Sequence, residues 1–328
     1  MCSHGTRNSL LCFFLGAAAA AAACFVLLLP AAHPCPCAFL PADQESSLGN
    51  GTQKSRHGWQ DHHHDLHERG VDGSPGSLLD LFLQSFRLGV RTAPLLKHLL
   101  VVAVDVKAYE RCQHVHRLCY HLRVDGVDYA AEQSFMKKDY LDMMWRRNRF
   151  QARVLQLGYS FVFTIFRSVE FFDDVDIIWL RNPLLRIPIG ADMAMSCDWF
   201  YGDNPYDLNK TANGGFVYAR ASPRMVAFYG SWYEARAGYP GAHEQYVFDQ
   251  VKRALAARHG VRVQFVDTAY LSGFCDLRKD FYKVCTVHAN CLVGIQSKLQ
   301  KLTDVLDEWK RFREKAKLLG SNTTALTD

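Results

Sequence analysis

From Ser77 onward the chain alternates short apolar runs with amphipathic stretches, and this alternation restricts the fold more than any other feature. The run HLLVVAVD, ending in Asp105, is continuously apolar, as expected of a strand covered on both faces. Ahead of it, SLLDLFLQSFRLGV spaces Leu78, Leu79, Leu81, Phe82 and Phe86 along one helical face. A helix from Val106 to about Cys119, a short strand CYHLRV, a long helix from Tyr140 to Leu157 stopped by Gly158, and a strand YSFVFT are predicted next. Further strands are expected at AMSC, GGFVYA and VRVQFVD. One helix opens at Ser222 with Pro223 in its first turn, and another runs from Glu244 to the approach of Gly260. A charged amphipathic helix from Ser297 to about Leu318 closes the domain. Strands alternating with helices predict a single α/β domain on a doubly wound, mostly parallel mixed sheet, with ligands at the carboxyl ends of its strands.

Residues 10–29, LLCFFLGAAAAAAACFVLLL, contain no charge and as a helix span about 30 Å, one hydrocarbon core. Arg7 precedes the run, and Asp43 and Glu45 are the first charges after it, so the bulk of the chain is predicted to be lumenal. A cleaved signal peptide is the alternative, but its apolar region is usually about 7–15 residues. The expected layout is a cytosolic tail over 1–9, an anchor over 10–29, a flexible polar stem over 30–75, the domain over 76–318 and a tail over 319–328. The histidines at 62–64 read as solvated linker rather than a metal site. Sequons at Asn50, Asn209 and Asn322 fit a secretory route. So do the eight cysteines beyond residue 29. Cys112 with Cys119, and Cys275 with Cys285, are candidate disulfides; for Cys197 and Cys291 a buried thiol stays open. The net charge of +5 comes without a basic stripe interleaved with aromatics, which argues against nucleic-acid binding.

The sequence Asp173-Asp174-Val175-Asp176 follows an apolar stretch, and in extended backbone positions i and i+2 share a side. Asp174 and Asp176 thus offer paired hard oxygen ligands for Mn²⁺ or Mg²⁺ beside a substrate phosphate. The stretch DVDIIWLRNP resembles the plant nucleotide-diphospho-sugar transferase family, close to glycosyltransferase family 77. YLDMMWRRNRF, ANGGFVYA, YPGAHEQYVFD, SGFCD and KVCTVHANC follow in the same order, covering most of the chain from Ser77 to about Arg313. The resemblance implies a nucleotide-sugar donor, Mn²⁺ dependence, retention of anomeric configuration and type II anchoring in the Golgi membrane. It also implies a cell-wall polysaccharide or glycoprotein acceptor, and leaves homo- or hetero-oligomers in the Golgi open.

Carried over residue by residue, the resemblance implies a metal set of Asp174, Asp176 and His288. His288 has a structural, hydrogen-bonded role as its alternative. Asn213, Glu244 and Gln245 match catalytic positions, with Glu244 either facing the anomeric carbon or simply favourable in a helix's first turn. Asp105, Arg146, Arg147, Gly214 and Gly215 are expected to contact substrate, although the glycines also suit a turn needing positive φ. Trp145 is expected in the core. Two stretches depart from the family pattern. Residues 165–173 intervene between the YSFVFT strand and Asp174, and a polar stem stands where the family has an early apolar strand before Ser77. These departures motivate a second reading, a catalytically inactive Golgi-anchored homologue that acts as a binding or scaffold protein.

Overall fold

Ser77 begins the first helix by accepting the Asp80 N–H at 3.1 Å and donating its hydroxyl to Asp80 Oδ2 at 2.9 Å, which satisfies one orphan donor of the first turn. In the computed structural model, which describes residues 23–30, 76–103, 106–122, 138–164 and 176–318, this is α1, Leu78–Leu88. The other helices are α2 (Val106–Val115), α3 (Lys138–Gln156), α4 (Pro223–Ala235), α5 (Glu244–His259) and α6 (Ile295–Leu318). The Ser222 hydroxyl accepts the Met225 N–H at the start of α4, and Gly260 closes α5 in the left-handed region at φ 62°. Both ends sit where serine–proline and glycine predict them.

A seven-stranded sheet lies at the centre, in the order β3-β2-β1-β4-β7-β6-β8. Its strands are β1 (Ala23–Pro30), β2 (Leu99–Ala103), β3 (Cys119–His121), β4 (Tyr159–Thr164), β6 (Met193–Cys197), β7 (Ala212–Ala219) and β8 (Val263–Phe265). A second sheet joins β5 (Ile177–Trp179), β10 (Thr286–His288) and β9 (Leu271–Gly273). In the large sheet β1 and β7 run against the other five strands, so only the β2–β3 and β6–β8 neighbours pair in parallel. The sheet is therefore mixed. The expected parallel character survives in the common direction of five strands and in those two pairings, while the other neighbours pair antiparallel.

The membrane helix expected over 10–29 is corrected for its last seven residues, 23–29. Ala23–Pro30 is β1, hydrogen-bonded antiparallel to β2 on one side and β4 on the other, with Val26 and Leu28 buried. Residues 10–22 lie outside the described residues, and among those described no helix is long and apolar enough to cross a membrane. A continuous apolar run suits a strand buried on both faces as well as it suits a helix. What decides is the gap between β2 and β4, whose backbone groups β1 pairs. The same strand fills the inner position that the polar stem before Ser77 leaves open.

The second sheet was not anticipated. It is held to α1 by stacking of Phe86 on Trp179, with centroids 4.6 Å apart, and by the Ser85 hydroxyl, which accepts the Trp179 N–H at 2.9 Å. Behind it α6 buries Leu302, Val305, Leu306 and Trp309 against Ile178 and Val287. Cys112 and Cys119 form the expected disulfide. The second pairing is corrected: Cys275 bonds Cys291, while Cys285 is a buried thiol. Cys285 belongs to the segment that closes on the backbone of Tyr270 and Leu180, which turns it away from Cys275 and into the core.

Candidate active site

The second sheet brings distant residues together. Asp176 stands immediately before β5 and His288 at the end of β10, and antiparallel pairing of His288 with Ile177 makes the two neighbours. The Ala289 N–H donates to the Asp176 carbonyl at 2.7 Å, which fixes the register. His288 Nε2 then lies 3.0 Å from Asp176 Oδ1, and Lys298 of α6 donates from Nζ to Oδ2 at 3.0 Å. The carboxylate is 1% exposed, and Lys298 is equally buried.

The approach of His288 to Oδ1 is off the hydrogen-bonding direction, so Oδ1 is a buried oxygen without a hydrogen-bond partner. That orphaned atom tests whether a divalent cation fits. Octahedral coordination with bonds of roughly 2.1 Å sets adjacent ligand atoms about 3.0 Å apart, which is the Asp176–His288 separation. A carboxylate oxygen with an imidazole nitrogen is a suitable donor set for Mn²⁺. Asp174 lies outside the described residues, and among the described residues no three His, Cys, Asp or Glu side chains gather. The described half of the site fits the expected cation.

The β6–β7 pair supplies the opposite wall. Its register shifts between Met195 and Ser196, so that Ser196 pairs with Asn213 after Met195 has paired with Val217. The extra residues on β7 are Gly214, Gly215 and Phe216, and such irregularities re-aim side chains next to functional sites. The ladder is repaired by side chains. The Ser196 hydroxyl donates to the Asn213 carbonyl at 2.9 Å and accepts the Phe216 N–H at 3.1 Å. Gln245 Oε1, on the first turn of α5, accepts the Gly214 N–H at 2.9 Å, and Asn213 Oδ1 accepts that of Gly215 at 2.7 Å. Neither glycine has positive φ, so the turn explanation is set aside. A Cβ on Gly215 would sit 2.6 Å from His288 Cε1 and 2.9 Å from Asn213 Oδ1, so glycine is required here to admit the imidazole.

Asp198, just past β6, joins the two walls: its Oδ1 accepts Asn213 Nδ2 at 2.7 Å and Asn290 Nδ2 at 2.8 Å. The Cys275–Cys291 disulfide flanks this point and ties the loop carrying Asn290 to the end of β9. His288, Asn213, Asn290, Ser196 and Cys197 line a narrow, shallow cleft at the sheet rim. Burial pushes the Cys197 thiol up to about 12, so it stays protonated at neutral pH and is no nucleophile.

The remaining expected residues divide. Gln245 reaches the cleft wall through Gly214. Glu244 does not line the cleft: its Oε1 accepts Arg147 Nη2 at 2.8 Å in a buried pair, leaving Oε2 buried without a hydrogen bond. Arg147 is thus engaged by Glu244, while Arg146 is exposed on α3. Trp145 is in the core, as expected. Asp105 lies outside the described residues. Sequence reasoning missed Lys298, Asp198 and Asn290. Asn290 lies inside the KVCTVHANC block, whereas a lysine in a charged helix or an aspartate after a strand carries no signal before burial is known.

Three comparisons bear on this arrangement. Residues 94–302 match the nucleotide-diphospho-sugar transferase family. The uncharacterized protein At4g15970 of Arabidopsis thaliana is 40% identical over 245 residues, which are 74% of this chain and 62% of that protein. The chain therefore spans less than two thirds of that relative's length. The uncharacterized protein At1g28695 of the same plant is 39% identical over 246 residues, 74% of this chain and 70% of that protein. Among solved structures, a glycosyltransferase involved in glycosylation of the major capsid of PBCV-1 is 13% identical, covering 60% of this chain and 87% of that one, at a TM-score of 0.38. With the family match extending from the Ala93–His98 turn, through strands β2 to β10, into the first third of the second sheet's supporting helix, the chain belongs to the nucleotide-diphospho-sugar transferase family.

Proposed function

We propose that the protein is a metal-dependent glycosyltransferase that moves a sugar from a nucleotide-diphosphate donor to a hydroxyl of a polysaccharide or glycoprotein, with retention of configuration. The observation that carries the reading is the meeting of Asp176, His288 and Lys298 at one buried point beside the cleft. A divalent cation held by Asp176 and His288, and by Asp174 if it completes the set, would neutralise charge on the diphosphate. Lys298 would add a fixed positive charge at the same point. Asn213, held open by Asp198, and the Gly214–Gly215 backbone, held by Gln245, would bind donor hydroxyls. Glu244 would act on developing positive charge in the transferred sugar only by releasing Arg147, which engages its Oε1 at 2.8 Å. Two disulfides and the sequons support work in an oxidising secretory lumen, with the Golgi as its place.

One observation favours the inactive-homologue reading: Lys298 already neutralises Asp176, so the group also makes a self-sufficient ion cluster. Titration calorimetry separates the two. The transferase reading expects Mn²⁺ to bind the full chain and to strengthen uridine diphosphate binding at least about tenfold. Asp176→Asn and His288→Ala should each abolish that coupling. Absence of any Mn²⁺ effect on nucleotide binding by folded protein would refute it. The product anomer, read by NMR, tests retention.

A further inference from the structure

The loop between β6 and β7 has both feet in the cleft and its crown in water. Cys197 and Asn213 line the cleft, and between them Trp199, Tyr201 and Tyr206 are 55%, 50% and 47% exposed. Scattered apolar side chains at a surface are ordinary, but three large aromatics, each about half exposed, on one loop are side chains of the kind that mark a binding face.

The loop is firmly built. Lys210, wholly buried, donates from Nζ to the Asn204 carbonyl at 2.8 Å and lies 4.5 Å from the Phe200 ring centre and 5.0 Å from that of Tyr201. The Phe265 N–H of β8 donates to the Pro205 carbonyl at 2.8 Å. From α5, Lys252 reaches the Lys210 carbonyl at 2.6 Å while paired with Asp249, and Arg253 donates to Asn209 Oδ1 at 2.8 Å. The rings are therefore presented on a fixed frame, and little ordering cost is left for binding.

We propose that this crown is the acceptor subsite, and that its occupant is a saccharide chain. The chain's reacting hydroxyl enters the cleft while the sugars behind it lie across Trp199, Tyr201 and Tyr206. A sugar ring has an apolar C–H face suited to an aromatic plane and hydroxyls around its edge. Exposed Asp203 and Asn204 between the rings offer acceptors and donors for those hydroxyls, whereas a protein-binding patch has an apolar centre depleted of charge. The direction of the chain follows from the continuity of crown and cleft. This inference rests on the transferase reading for its role and on the loop alone for its binding.

The test uses the full chain, with gluco-, xylo-, arabino- and galacto-hexaoses as probes, read by tryptophan fluorescence and biolayer interferometry. The wild type is expected to bind at least one hexaose. The double substitution Trp199→Ala/Tyr206→Ala should weaken that binding at least about tenfold, as removal of aromatic anchors does. Trp199→Phe/Tyr206→Phe, which keeps the planes, should stay within about threefold, and nucleotide binding should be unchanged in both. Equal hexaose binding by the alanine pair, or none by the wild type, overturns the proposal. So does a wild-type dimer that the alanine pair dissociates, since the rings would then be an interface between copies. If the hexaose depends on the crown but no uridine diphosphate sugar binds, the saccharide platform stands and the transferase reading fails.

Discussion

Replacing Lys298 by methionine keeps most of the side-chain volume and removes only the ammonium that faces Asp176 Oδ2 at 3.0 Å. The side chains are 3% and 1% exposed, so water cannot take over the solvation of the carboxylate. Removing one member of a buried ion pair typically costs about 3–5 kcal/mol, because the other charge is left uncompensated. For a domain of this size each kcal/mol moves the midpoint by roughly 2–4 °C, so Lys298→Met should lower Tm by roughly 6–20 °C. If the stranded charge is the cause, Asp176→Asn/Lys298→Met should recover at least about half of the loss, since it buries two neutral groups instead. Millimolar Mn²⁺ should raise the Tm of Lys298→Met more than that of the wild type, because a cation then replaces the ammonium. Circular-dichroism melts at pH 7 in low salt, with and without Mn²⁺, measure all three. A loss below about 1 kcal/mol, or a double variant no better than the single one, would refute the reasoning that this cluster is held by charge in a dry environment.

Gly215→Ala should destabilise the fold by about 1–3 kcal/mol through overpacking against His288, and should weaken Mn²⁺ binding in calorimetry. Cys275→Ser should cost about 3 kcal/mol in denaturant titration, since the disulfide closes a separation of 16 residues, and non-reducing peptide mapping should recover the Cys275–Cys291 peptide. The Cys197 and Cys285 peptides should resist iodoacetamide at pH 8 in native protein and label fully in denaturant, because burial raises both thiols above the usual value. For Cys197, burial raises the thiol from its usual 9.0 to about 12, so the native state holds its proton longer. Its contribution to stability is complete below about pH 9 and declines as pH rises toward 12, an alkaline loss that Cys197→Ala should reduce in urea titrations.

Much of the architecture was legible because it is local. Ser77, Ser222, Pro223 and Gly260 mark helix ends through bonds made within one turn, and HLLVVAVD and YSFVFT announce strands by composition alone. The three-residue strands β5, β9 and β10 were not legible, since each is too short to establish a period. Motifs singled out Asp176, His288, Asn213 and Gln245, and the structure sets His288 beside Asp176 and Gln245 on the Gly214 N–H. Lys298 was missed, because a lysine within a charged helix looks solvated until the helix is packed. The partner of Glu244 was illegible for a related reason: its first-turn position is evident in sequence, but its pairing with Arg147 joins residues 97 apart.

The amino-acid sequence by itself determined the α/β class, the order and caps of the helices, the family and the chemical identity of the acid–imidazole pair. Those properties depend on residue type and on neighbours a few positions away. Only the tertiary structure decided that the apolar segment Ala23–Pro30 serves as an inner strand, that Cys275 selects Cys291, and that Gly215 yields its side-chain space to His288. Each of these is a choice among partners remote in the chain. Such choices are made by which packing leaves fewest backbone groups unpaired and fewest charges stranded, a quantity that no local pattern contains.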